Sequence, residues 1–235
     1  MKRYTDLFID FDDTIYDTHG NAQIALGELF DHYQLQRYFP SKEAFTVPYW
    51  RENVALWAQY TRGEITRDFL IVERFRRPLC EGKGLNPTTE QCLEVSDCFL
   101  NLCADKPATL PGAHELLAYL KKQGYRMHIC SNGFHEVQYR KLRASDTLQY
   151  FDTIVLSEDA GANKPSGAFF DYAFKTTKAV RESTLMIGDN QDTDIAGAYH
   201  AGLHTIYYNS EGLPLTNPRA VTYQVKALSE IAKIL

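Results

Sequence analysis

The chain has no C-x-x-C pair, no long run of lysine and arginine, and no apolar stretch near the roughly 18 residues that cross a bilayer. Each absence closes off a class of function. Cys80, Cys92, Cys98, Cys103 and Cys130 are an odd set of five, which argues against a disulfide scaffold and for a reduced setting. The N-terminus leads straight into an apolar strand rather than a signal peptide, so a cytoplasmic protein is expected. A formal charge of -5 without a basic cluster argues against a nucleic acid polymer as partner, because phosphate backbones are held by grouped Lys and Arg. No internal repeat or low-complexity tract is visible, and the seven histidines show no metal-ligand spacing.

What remains is an ordinary globular composition. The 235 residues, 44% hydrophobic and 23% charged, can bury a real core in one large domain or two modest ones. Residues 20–38, 50–62, 66–79 and 88–104 carry apolar residues at helical spacing without strands between them. From Leu110 onward, helices at 112–122, 134–145, 166–176 and 192–201 alternate with strands at 125–130, 153–156, 184–188, 204–207 and 221–224. That alternation predicts a doubly wound, Rossmann-like parallel sheet flanked by helices. The strand at 6–10 cannot satisfy its backbone alone and is assigned to the same sheet. The expected organisation is a core of residues 1–17 and 106–235 with an α-helical cap, residues 18–105, inserted after the first strand.

The chemistry collects where these strands end. Asp10 and Asp12 are two residues apart at the end of an extended segment, so their side chains lie on one side and crowd two negative charges. An acidic turn in which Asp12 or Asp13 caps the following helix is the plainer alternative. Ligands in open parallel sheets bind beyond the carboxyl ends of the strands. The other strand ends bring Ser131-Asn132-Gly133, Lys164-Pro165 in a loop, and Gly188-Asp189 followed by Asp192 and Asp194. A group of carboxylate oxygens suits Mg²⁺, lysine supplies a point charge, and Ser131 with the N–H groups of Asn132 and Gly133 makes an anion site at a helix start. Ser131 is also a favoured helix N-cap, and Lys164 an ordinary loop residue type.

Asp10-x-Asp12-x-Thr14, Ser131, Lys164-Pro165 and Gly188-Asp189-x-x-x-x-Asp194, in that order, resemble the four signature motifs of the haloacid dehalogenase superfamily. Leu110-Pro111-Gly112-Ala113, Ser131-Asn132-Gly133-Phe134, Gly63-Glu64-Ile65-Thr66 and Arg74-Phe75 are similar to the branch of non-canonical pyrimidine 5'-nucleotidases. Asp13 stands where the family more often has Gly, a change that this branch shares. The resemblance implies a phosphatase in which Asp10 is the nucleophile, Asp12 the acid and base, and Lys164 a further catalytic residue. It implies Mg²⁺ held by Asp10, by Asp12 through its backbone carbonyl and by Asp189. Asp194 is then a supporting residue that orients Lys164 or metal-bound water, Asp192 a helix cap, and Thr14 a structural residue bonding nearby backbone.

The expected substrate is a small phosphorylated metabolite, with a nucleoside monophosphate first and a phosphosugar (phosphatase or phosphoglucomutase-like chemistry) as the alternative. A binding module that has lost its chemistry fits the intact acids less well. Ser131, Asn132, Gly133 and Arg74 are the expected substrate contacts, with Arg51, Arg62 and His135 as weaker candidates. Trp50, Trp57, Tyr49 and Tyr60 are expected in the cap's core rather than against a base. His128 and Cys130 are expected to be packed on a strand. Either a monomer or a homodimer, away from membranes, is compatible with this composition.

Overall fold

In a computed structural model that describes residues 3–235, the apolar runs pair into one six-stranded sheet. Its strands are β1 (Asp6–Ile9), β2 (Arg126–Ser131), β3 (Thr153–Leu156), β4 (Thr184–Gly188), β5 (His204–Tyr208) and β6 (Tyr223–Val225). They lie in the order β3-β2-β1-β4-β5-β6, and every pairing is parallel. Such a sheet is covered on both faces, so its strands read as continuous apolar runs rather than alternating ones. Leu7, Ile9, Met127, Ile129, Leu185 and Ile187 pack with Leu116, Leu117 and Leu120 of α5 (Ala113–Lys122). Phe8, Cys130, Val155 and Met186 pack on the opposite face with Phe169 and Phe170 of α8 (Gly167–Thr177). α6 (His135–Ala144), the one-turn α7 (Ser157–Ala160), α9 (Ala196–His200) and α10 (Leu228–Ile231) complete the layers.

The chain moves outward from β1 to β2 and β3, then returns to β4, β5 and β6 on the other side. The strand order therefore reverses between β1 and β4. At such a point the crossover connections diverge and leave a crevice at the strands' carboxyl ends. β1 and β4 are the strands that deliver Asp10 and Asp189.

The chain divides into two compact units, the residues up to Thr18 with Pro107–Leu235, and His19–Lys106. The second unit is helical, with α1 (Thr18–His32), α2 (Lys42–Thr61), α3 (Arg67–Cys80) and α4 (Thr89–Ala104). Ser41, Thr66 and Thr88 cap the last three by accepting from backbone N–H groups, and Gln91 completes a capping box with Thr88. Leu26, Phe30, Phe45, Tyr49, Phe75 and Phe99 form its core.

Some expected boundaries move. The helix expected at 20–38 stops at His32, where Gln34 adopts a left-handed conformation (φ 53°) and a 3-10 turn follows. The helix expected at 50–62 begins at Lys42 and carries Pro48 inside it. Proline cannot donate the N–H of an interior position, so the α2 ladder lacks one bond there. The helix expected at 192–201 opens instead as a π-turn, Gln191–Ile195, before α9. No helix among the described residues is long and apolar enough to cross a membrane.

Candidate active site

Ile9 registers with both Ile129 and Ile187, so β1, β2 and β4 end within two residues of one another and the residues at their ends meet at one sheet edge. Asp10 continues the ladder by one bond, its N–H donating to the Ile187 carbonyl at 2.9 Å. Its carboxylate lies against Lys164. The Lys164 ammonium donates to Asp10 Oδ1, Asp194 Oδ1 and the Cys130 carbonyl, each at 2.6 Å, with the residue 2% exposed. All three ammonium donors are thus used. Burial pulls the lysine's pKa down, but the charges of Asp10 and Asp194 outweigh it and hold the group above its ordinary value, fully charged.

Asp194 reaches this position from the π-turn, which Asn190 caps by accepting from the N–H groups of Asp192 and Thr193. Asn190 therefore does the capping expected of Asp192, which is exposed. The second Asp194 oxygen accepts from the Asn190 N–H at 3.1 Å. Gly188 makes room for it, because a Cβ at that position would stand 2.6 Å from Asp194 Cγ.

Thr14 is more than a backbone clasp. Its hydroxyl stands 3.0 Å from Asp189 Oδ1 and 3.3 Å from Asp10 Oδ2, between the two acids. Asp13 before it has φ 56°, a left-handed conformation that glycine adopts freely and that Asp tolerates better than most other residues.

Side-chain oxygens of Asp10, Asp189 and Asp194 lie within 4.8 Å of one another. Lys164 pairs with two of the three, Asp10 and Asp194. Burial pushes Asp10 up to about 8; Lys164 offsets part of this, and Asp194 and Asp12 add to it. Burial and the charges of Asp10, Asp194 and Asp13 raise Asp189 well above the carboxylate range. This donor set of hard oxygens, short of positive charge, fits a divalent cation such as Mg²⁺. Asp194 accepts from Lys164 and from the Asn190 N–H, and Asp10 from Lys164 and Thr14, whereas the hydrogen bond to Asp189 comes from the Thr14 hydroxyl, which makes Asp189 the least engaged of the three acids.

Asp12 is held differently. Its Oδ1 accepts from Lys141 Nζ and from Thr18 Oγ1, both at 2.6 Å, and its Oδ2 accepts from Gln138. Burial would raise its pKa, but Lys141, Thr18 and Gln138 together bring it below the usual value. The sequence reading missed all three partners. Gln138 and Lys141 look like surface residues of an amphipathic helix, and only their burial, at 1% and 8% exposed, marks them.

Ser131 Oγ accepts from Gln138 Nε2 at 2.7 Å and from the Gly133 N–H at 3.0 Å. Both lone pairs are used, so its own proton is the remaining capacity. The expectation for the following loop changes accordingly. The Gly133 N–H is spent on Ser131 rather than left for an anion. The Asn132 side chain clamps the Lys164 backbone, donating to its carbonyl at 3.0 Å and accepting from its N–H at 2.8 Å. Asn132 thus fixes the lysine loop. Cys130 contributes only its carbonyl, and burial pushes its thiol far up. His128 is buried on β2 with Nε2 3.1 Å from Asp6. The His135 N–H donates to Glu158 at 2.7 Å.

Arg74 requires a correction. It is 2% exposed in the core of the helical unit, donating to Ser96 Oγ at 2.8 Å, with its guanidinium 5.5 Å from the ring centres of Phe75 and Phe99. A side chain so enclosed packs the unit instead of meeting substrate. Tyr49 is likewise core, Trp50 stacks on His19 at 4.2 Å, and Trp57 meets Tyr60 edge-on at 5.6 Å. Arg51 pairs with Glu52 and Glu81, and Arg62 with Glu64.

A family profile for haloacid dehalogenase-like hydrolases matches residues 7–202. The chain belongs to that family. It is 32% identical to the HAD-hydrolase YfnB of Bacillus subtilis (strain 168), covering 100% of this chain and 97% of the relative. The crystal structure of YfnB bound to magnesium superposes with a TM-score of 0.89 at 31% identity, covering 100% of this chain and 99% of that one. Pyrimidine 5'-nucleotidase YjjG of Escherichia coli (strain K12) is 30% identical, covering 97% and 96% of the two chains. Pyrimidine 5'-nucleotidase PynA of Streptococcus pneumoniae is 28% identical, covering 99% and 95%.

Proposed function

We propose that this hydrolase is a Mg²⁺-dependent phosphomonoesterase acting through an aspartyl-phosphate on Asp10, with pyrimidine nucleoside 5'-monophosphates as preferred substrates. One observation carries the reading: a carboxylate at the sheet's switch point has one oxygen against a buried lysine and lies beside a second acid, Asp189, that lacks an ion pair among the described residues. The magnesium-bound YfnB structure supports the metal, and the names of YjjG and PynA support the substrate class.

In this reading Asp10 attacks phosphorus, forming the Asp10–phosphorus bond as the ester oxygen departs. Asp12 gives that oxygen its proton. Water then attacks phosphorus, Asp12 takes its proton, and the Asp10–phosphorus bond breaks to release inorganic phosphate. Lys141, Thr18 and Gln138 favour the Asp12 carboxylate, the form that accepts the water's proton; the proton taken from water in one turnover is the one Asp12 gives to the ester oxygen in the next. The Ser131 hydroxyl, with both lone pairs occupied, donates to a phosphoryl oxygen. Lys164 keeps Asp10 oriented and offsets charge, while Asp194 and Asn132 hold the lysine. Asp10, Asp189 and the Asp12 carbonyl would hold Mg²⁺, which when bound would supply the positive charge that lets an anionic nucleophile approach an anionic phosphoryl group.

Phosphate release from a panel of monoesters, with Mg²⁺ or with EDTA, tests the proposal. Activity should require Mg²⁺, and kcat/KM should be highest for pyrimidine nucleotides, deoxy forms included. A panel headed by hexose phosphates would replace the substrate and keep the phosphatase; undiminished activity in EDTA would remove the metal.

A further inference from the structure

One helix face contacts two groups of this site, Asp12 and Ser131. Gln138 and Lys141 are three residues apart on α6 and therefore neighbours on its surface. Both are buried, and buried polar groups are costly unless paired. Lys141 Nζ stands 2.6 Å from Asp12 Oδ1 and 5.1 Å from the centre of the Tyr16 ring. Gln138 Nε2 bridges, donating to Ser131 Oγ at 2.7 Å and to Asp12 Oδ2. The buried Gln138 Oε1 has no partner, so the amide's orientation is set by the two acceptors that its nitrogen meets.

The bridge depends on Gly133. A Cβ there would come within 2.8 Å of Gln138 Cγ and closer still to the amide. Its φ lies outside the left-handed region, so alanine keeps the backbone and displaces only the end of a flexible side chain.

We propose that Gln138 and Lys141 are positioning residues that lock the Asp12 carboxylate to the Ser131 hydroxyl, so that the proton carrier and the donor to the phosphoryl group hold one fixed spacing. Lys141 fixes one Asp12 oxygen, Gln138 fixes the other and ties it to Ser131. Gly133 leaves the space in which that tie forms. The inference rests on Asp12 being the proton carrier.

A double-mutant cycle tests it, with phosphate release from 4-nitrophenyl phosphate in saturating Mg²⁺ as the readout. Lys141→Met should lower kcat by about tenfold to a hundredfold, the scale of a misplaced catalytic group, with KM changed by less than about threefold. Lys141→Arg should recover part of the loss. In an Asp12→Asn background, adding Lys141→Met should change kcat by less than about twofold, because a residue that acts only through Asp12 has nothing further to lose. Gly133→Ala should lose kcat as Gln138→Leu does and cause no additional loss when combined with Gln138→Leu. Losses that multiply in the double variants, or a Lys141→Met enzyme with wild-type kcat, would overturn the positioning role. An Asp12→Asn enzyme as fast as wild type would instead remove Asp12 as proton carrier.

Discussion

Lys164 Nζ stands 2.6 Å from Asp10 Oδ1, with the lysine side chain 2% and the aspartate side chain 10% exposed. The same ammonium is 2.6 Å from Asp194 Oδ1. A lone charge so placed would be costly, and its removal would leave two acids without their counter-charge. The Asp12–Lys141 pair has the same 2.6 Å separation, but its aspartate is 28% exposed, so solvent screens it more.

Lys164→Met should therefore destabilise the protein by roughly 3–5 kcal/mol, the range for breaking a buried pair by removing one partner. Urea denaturation checks this. Part of the loss should return on adding Mg²⁺, since a cation at Asp10 and Asp189 replaces some of the missing charge. A variant as stable as wild type, with no response to Mg²⁺, would argue against an ionised cluster.

Asp12→Asn should impair alkyl phosphates more than aryl ones. A nitrophenolate leaving group needs little proton donation, so the first step should still deliver a burst of nitrophenolate while steady-state turnover falls by about a hundredfold or more. Stopped-flow absorbance separates the two phases. Equal losses in phosphoenzyme formation for both ester types would count against Asp12 as the acid.

Stability of the metal-free protein should fall as pH rises from about 4 to about 8. Asp10 is pushed up to about 8 when folded, against about 4 for an unfolded aspartate. The folded state thus holds that proton more tightly; the resulting stabilisation is complete below pH ~4 and lost as pH passes the folded value. The lowered pKa of Asp12 acts in the opposite sense, adding stability above the unfolded value that is lost as pH falls through its folded one. Because Mg²⁺ competes with the Asp10 proton, its effect on Tm should grow between pH 5 and pH 9. Differential scanning fluorimetry with and without Mg²⁺ across that range gives the slope. A Mg²⁺ shift largest at pH 5 would contradict the assignment.

Gly188→Ala should be costly although glycine-to-alanine changes are often mild. The new Cβ meets Asp194, which Lys164 and Asn190 pin from two sides and which cannot swing away. Overpacking a fixed neighbour costs about 1–3 kcal/mol. Phosphatase activity should fall with stability, because the displaced carboxylate also orients Lys164. Thermal melts and kcat on one preparation read both effects, and a fully active, fully stable variant would mean that Asp194 has room to move.

The sheet was legible because its strands are short apolar runs between amphipathic helices, two of which run straight into acids, at Ile9-Asp10 and Gly188-Asp189. Pairing order was not, since no local pattern says that β1 sits between β2 and β4. Asp10, Ser131, Lys164, Asp189 and Asp194 could be placed at one edge because each follows a strand end or its loop. Gln138 and Lys141 could not, because an inward polar residue on a short amphipathic helix has the composition of an outward one until burial is known. Arg74 failed in the opposite direction. A guanidinium between Phe75 and Phe99 reads as an exposed cation unless the packing around it is seen.

The most direct measurement is rapid acid quench of the enzyme with Mg²⁺ and a ³²P-labelled nucleoside 5'-monophosphate, followed by peptide mapping. Covalent label should appear within one turnover on the peptide that carries Asp10, be released by hydroxylamine as an acyl phosphate is, and be absent from Asp10→Asn. Label on Ser131 or on a histidine would contradict the aspartyl-phosphate route, as would an Asp10→Asn enzyme retaining more than about a tenth of wild-type turnover.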